Sequence, residues 1–219
     1  MSDAEQTTDE ADEQSWALSF SAVELKESAA LGADVRLDLS PRTTVLVGKN
    51  GAGKSLLLEK MFAAFGEAAG FAHTAEPDPA HFACEVDVAS RRAPEKSFKV
   101  RYECSWRRRE SRPENSRAAL PLTNPADLKV EESCWIPGDE NQVLWRVDDG
   151  IVTVSNGGQE AIFAGTTLLS SALNRGRREF LLPDMAYSLR DLFYSSHQGP
   201  AGLRSRYSPP LRIMAKERS

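Results

Sequence analysis

The chain has 219 residues, 41% of them apolar and 27% charged, with a formal net charge of −5. That balance suits a soluble globular protein of one large domain or two small ones, long enough to bury a core. No apolar run approaches the ~20 residues of a membrane-spanning helix, and the start lacks the basic-then-apolar shape of a signal peptide. Residues 1–15 carry six acidic side chains and no basic one, which predicts a disordered acidic tail ahead of one domain over 16–219. Without the tail, 27 basic residues face 26 acidic ones, so the net charge says little about the domain's partners.

Trp16, Leu18, Phe20 and Ala22 alternate with polar or small residues, as do Val35, Leu37 and Leu39, predicting two half-buried strands before a turn at Pro41. Thr43–Val47 is a short apolar run, expected to be a strand buried on both faces. Gly48–Ser55 then fits G-x-x-x-x-G-K-[ST] without a mismatch, and a helical pattern follows from Lys54, with Leu58, Phe62 and Phe65 on one face and a stop near Gly70.

Strand, glycine-rich turn and helix is the order a phosphate-binding loop needs. Gly48, Gly51 and Gly53 let the backbone wrap so that N–H groups converge on an anion. The helix start adds unpaired N–H groups and its positive dipole end. Lys54 is expected to reach the β- and γ-phosphates and the Ser55 hydroxyl to ligate Mg²⁺. Lys49, Asn50 and Ala52 complete the cradle, with Lys49 either near phosphate or in solvent.

With Asn50-Gly51-Ala52 inside Gly-x-Asn-Gly-x-Gly-Lys-Ser, the loop resembles that of ABC-type ATPase heads of the SMC and RecF group and of AAA-family ATPases of the overcoming-lysogenisation-defect type. The resemblance covers roughly residues 16 to 70. It implies an α/β fold, a P-loop NTPase of ABC-ATPase-like type with an N-terminal antiparallel β region beside the loop strand. It further implies ATP and Mg²⁺ as ligands, Lys54 as the catalytic lysine, and work with DNA in repair, chromosome maintenance or phage defence.

Phe82, Cys84, Val86 and Val88 alternate with Glu85 and Asp87, and Phe98, Val100, Tyr102, Cys104 and Trp106 with Lys99, Arg101 and Glu103. This is an antiparallel hairpin with one wet face, joined through Arg91, Arg92 and Pro94. Arg107–Asp127 reads as a Pro-, Arg- and Ser-rich loop. Val143–Val147 and Ile151–Val154 follow as strands around Asp148-Asp149-Gly150, closing a β-rich segment over 82–154. A helical segment over 166–196 comprises Thr166–Leu173 and a second helix with Pro183 in its first turn. Residues 199–219 show no strong period. Cys84, Cys104 and Cys134 lack C-x-x-C spacing, and His73, His81 and His197 lack ligand spacing, so a reducing cytosol without structural zinc is expected.

An ATPase of this type needs a carboxylate at the end of a second buried strand. Phe180–Asp184 comes nearest, but Pro183 cannot donate into a central ladder. Val154–Gln159 has the look of the ABC signature, yet it follows a strand, and Asn156-Gly157 is a hairpin turn signal. The chain therefore reads as the N-terminal half of such a head, poorly hydrolytic alone, with a second ATPase half or subunit supplying the signature and acidic strand. Arg91–Arg117 holds ten basic and four acidic residues, the pattern of a DNA-phosphate contact or of a solvated hairpin rim. A small P-loop kinase and a non-hydrolysing nucleotide-binding interaction module are the alternatives in other classes.

Overall fold

A computed structural model describes residues 16–39, 43–70, 77–90, 95, 97–109, 128–138, 142–155, 157–163, 165–175 and 181–197. The acidic tail, Pro41, His73, Arg91, Arg92, Pro94, residues 110–127, Asn156 and residues 199–219 lie outside them.

The strands are β1 (Trp16–Lys26), β2 (Val35–Asp38), β3 (His81–Ser90), β4 (Ser97–Arg108), β5 (Leu128–Trp135), β6 (Val143–Asp148), β7 (Ile151–Val154) and β8 (Gln159–Ala161). They form one sheet in the order β2-β1-β3-β4-β5-β6-β7-β8, and every neighbouring pair is antiparallel. The helices are α1 (Lys54–Ala68), α2 (Leu168–Arg175) and α3 (Leu182–His197). Among the described residues no helix is long and apolar enough to cross a membrane.

This overturns the expected α/β fold. A P-loop NTPase is built on a parallel sheet, whereas here the sheet is antiparallel throughout, with few helices. The Thr43–Val47 run, expected to be a doubly buried strand, is not one of the sheet's strands. Val45 is 40% exposed and Val47 89% exposed. An apolar run becomes a buried strand only where neighbours cover both its faces, and these valines are not covered.

The period-2 pattern explains the sheet's two faces. Phe82, Cys84, Val86 and Val88 on β3 and Val100, Tyr102, Cys104 and Trp106 on β4 are all buried, in the register Phe82↔Cys104 and Val86↔Val100. The Asp149-Gly150 turn takes positive φ at both residues, as a two-residue hairpin demands. Gly157 N donates to Val154 O at 2.8 Å, so the signature-like stretch is the turn from β7 to β8. β5 was not legible as a strand. Arg107 and Arg108, expected in a loop, continue β4, and β5 pairs along them.

The helices cover the inner face. Phe65 of α1 stands among Phe20, Phe62 and Phe82, with ring centroids 6.0, 5.9 and 5.5 Å away. α3 packs on α1, α2 and β1. α1 stops at Ala69 and Gly70, where Gly70 has φ +76° and its N donates to Glu67 O at 3.1 Å. A Cβ at Gly70 would lie 2.1 Å from Ser170 Oγ, so only glycine lets α2 approach this closely.

The outer face carries ion pairs. Arg101 donates to Glu24 Oε2 at 2.9 Å and to Glu103 at 2.8 Å, while Arg36 reaches Glu24, Asp38 and Glu85. Arg101, with Arg36 and Lys26, holds the Glu24 carboxyl down at about 2. On the inner face burial pushes Glu132 up to about 7, although the Leu168 N–H and the Trp145 indole favour its charge.

Phe65→Ala should cost about 3–5 kcal/mol, read as a lower denaturant midpoint at unchanged slope; a loss below about 1 kcal/mol would show that α1 is not packed as described. The two carboxyls act oppositely with pH. Glu24 contributes stability above its ordinary value of 4.5, lost as pH falls toward 2. Glu132 contributes stability fully present below 4.5 and lost as pH rises through about 7. Thermal unfolding against pH should lose its acid-side fall in Glu24→Gln and its neutral-side fall in Glu132→Gln. Identical profiles in wild type and either variant would refute that assignment.

Candidate phosphate-binding site

α1 begins where the glycine-rich loop ends, so the loop and the first helical turn are one structure. Gly51 and Gly53 take φ of +82° and +77°, a conformation L side chains rarely adopt. Gly53 is the N-cap and supplies no side-chain hydrogen bond. Leu57 N closes the first helical bond to Gly53 O at 2.8 Å. Gly48 is different: its φ is ordinary, and a Cβ there would meet Ala52 Cβ at 3.5 Å, a normal contact. Two of the three glycines are therefore demanded by backbone conformation.

The first turn of α1 holds no acidic residue. The N–H groups of Lys54, Ser55 and Leu56 precede the first intrahelical donor and have no side-chain cap. Lys54 Nζ donates to Gly48 O at 2.7 Å and Lys49 O at 2.8 Å, which folds the ammonium over the loop. Gly48, Lys49, Asn50, Gly51, Ala52, Gly53 and Ser55 are exposed and Lys54 is partly covered. The structure thus brings all eight predicted site residues into one open loop with a cation over it and a bare helix start behind it.

These residues fit a phosphate chain. For Mg²⁺ the fit is partial, because Ser55 offers one hydroxyl and no cluster of three His, Cys, Asp or Glu side chains able to hold a metal occurs among the described residues. The Phe180–Asp184 stretch does not supply a carboxylate strand: Leu182, Pro183 and Asp184 form the first turn of α3. Ahead of the loop Val45 and Val47 are exposed and Leu46 is half-buried.

The basic segment is largely occupied where it is described. Arg101 and Lys99 are committed to Glu24, Glu85, Glu103 and Asp87. Arg109 pairs with Asp149, and its Nε donates to Leu128 O at 3.4 Å. Arg107 and Arg108 are exposed at the end of β4.

Sequence reasoning missed Glu132. Its place in the run Leu128, Val130, Glu132, Cys134, with every second residue otherwise apolar, was the available signal. No protein-family model and no curated protein matches the chain.

Proposed function

We propose that residues 48–55 bind the triphosphate of Mg·ATP and that the chain is an ATP-binding module with little hydrolytic power of its own. The carrying observation is the loop itself: two left-handed glycines, the Lys54 ammonium folded over the mouth, and an uncapped, acid-free helix start. Each element favours an anion, and together they favour a chain of phosphates. The preference for ATP rests on the loop's resemblance to ABC-, SMC- and RecF-type ATPases.

On this reading Lys54 would exchange its two backbone acceptors for β- and γ-phosphate oxygens, and Ser55 would ligate Mg²⁺. Bound Mg²⁺ would neutralise phosphate charge. A carboxylate to complete the metal's shell and orient water would come from a second polypeptide. Its strand would lie along Val45–Val47, where the exposed valines gain from an added strand.

Lys54→Ala should weaken binding of a fluorescent ATP analogue about 10- to 100-fold, the worth of one or two charge-assisted hydrogen bonds, while leaving the fold intact because Ala suits a helix start. Equal affinities would remove the site. Phosphate release by the purified chain should fall on the order of 10³–10⁵ below that of a complete ATPase site. Lys54-dependent turnover on the order of one per second, within the usual enzyme range, would place a carboxylate that supports hydrolysis within this chain.

A further inference from the structure

Glu132 lies on the inner face of β5 with 2% of its surface exposed. Its Oε1 accepts from Trp145 Nε1 on β6 at 3.3 Å, and its Oε2 accepts from the Leu168 backbone N at 2.5 Å, at the start of α2. No lysine or arginine pairs with it among the described residues. Among the described residues the titratable groups facing it are Tyr102 and Cys104 on β4 and Cys134 on its own strand; Glu67 on α1 faces Cys104, and α2 offers the N–H groups of Leu168 and Leu169. Burial pushes the phenol and both thiols far up, so they stay neutral through the physiological range. Tyr102 stands near enough to steady the carboxylate's charge, yet its buried hydroxyl makes no hydrogen bond of good geometry.

The same first turn of α2 is tied to α1. Thr167 Oγ1 accepts from Ser170 N at 3.0 Å, capping α2, and donates to Ala68 O at 2.7 Å, on the last residue of α1. Gly70 and Ser170 meet too closely for any side chain between them. We propose that Glu132 is a positioning residue whose ionised carboxylate clamps the start of α2 against the end of α1, and that proton uptake loosens this clamp and, through Thr167, the helix that carries Lys54 and Ser55.

Both carboxylate oxygens face donors, which is the arrangement of the ionised form. A proton on either oxygen must turn toward an acceptor, and Tyr102 Oη is the free one beside it. The N–H of Leu168 then loses its charge-assisted acceptor and the helix dipole its counter-charge. The fold as a whole is less costly to keep with Glu132 neutral, because burial penalises the charge, but the α2 grip is tighter with it ionised. α1 is 15 residues long, so a shift at Ala68 is delivered ~22 Å away at the phosphate loop by a rigid rod. This last link rests on the phosphate-binding reading above; the clamp does not.

The test follows indole fluorescence of the full chain from about pH 5 to 9, bracketing neutrality, in wild type, Glu132→Gln and Trp145→Phe, beside the affinity for a fluorescent ATP analogue with Mg²⁺. A Trp145-dependent transition near neutral pH is expected in wild type and absent in Glu132→Gln. Below that transition wild type should bind about five-fold more weakly, the low end of ordinary coupling between sites, beyond any change shared with Glu132→Gln from the nucleotide's own phosphate titration. Should Glu132→Gln not fold, Thr167→Val must keep the fluorescence transition and lose the pH dependence of binding. No transition, or one unchanged in Glu132→Gln, overturns the clamp. Identical pH dependence of binding in wild type and Glu132→Gln, or in wild type and Thr167→Val, overturns the coupling. A chain that never binds the nucleotide but shows the transition overturns the phosphate-loop reading, and the coupling with it, and leaves the clamp standing.

Discussion

The contact on which the arrangement of helices depends is the meeting of α1's end with α2's start above a buried carboxylate. Four neighbouring elements converge there: β5 through Glu132, β6 through Trp145, α2 through Leu168 and Thr167, and α1 through Ala68 and Gly70. A helix end buried without partners is costly, since its N–H and C=O groups lose water without replacement. Here the Ala68 carbonyl at the end of α1 is answered by Thr167, and the Leu168 N–H at the start of α2 by Glu132 of β5. Thr167 serves both helices with one hydroxyl, and Glu132 answers the N–H that Thr167 leaves over. The solution also explains why a carboxylate is tolerated in an otherwise apolar row of β5.

The two faces of the sheet solve different electrostatic problems. On the outer face Glu24 is nearly buried but sits among Arg101, Arg36 and Lys26, so its charge is more favourable in the fold than in water. On the inner face Glu132 has no cation among the described residues, and helix N–H groups and an indole only partly offset its desolvation. One sheet therefore holds one carboxylate well below and one well above the ordinary range, and the direction in each case follows from which layer the side chain enters.

The glycine-rich loop stands apart from both problems. Its residues are open to solvent, and its conformation depends on Gly51, Gly53 and the start of α1. A cradle for phosphates needs converging N–H groups and a helix start, both local properties. That separation is why an antiparallel sheet can carry such a loop at all.

What the sequence determined by itself was local. The β3–β4 and β6–β7 hairpins, the span of α1 to Gly70, the turn after Val154 and the contiguity of residues 48–55 all follow from periodicity and glycine placement within a few residues of each other. Tertiary structure decided the rest, because the deciding contacts lie far apart in the chain. Thr43–Val47 has the composition of a central strand, but burial on both faces requires neighbours that composition cannot supply, and Val45 and Val47 stay exposed. β5 carries an alternation broken by Glu132, and only Leu168, 36 residues on, makes a carboxylate acceptable there. The role of Gly70 likewise appears only when Ser170 arrives against it, since a glycine near a helix end looks the same in sequence whether it faces water or another helix.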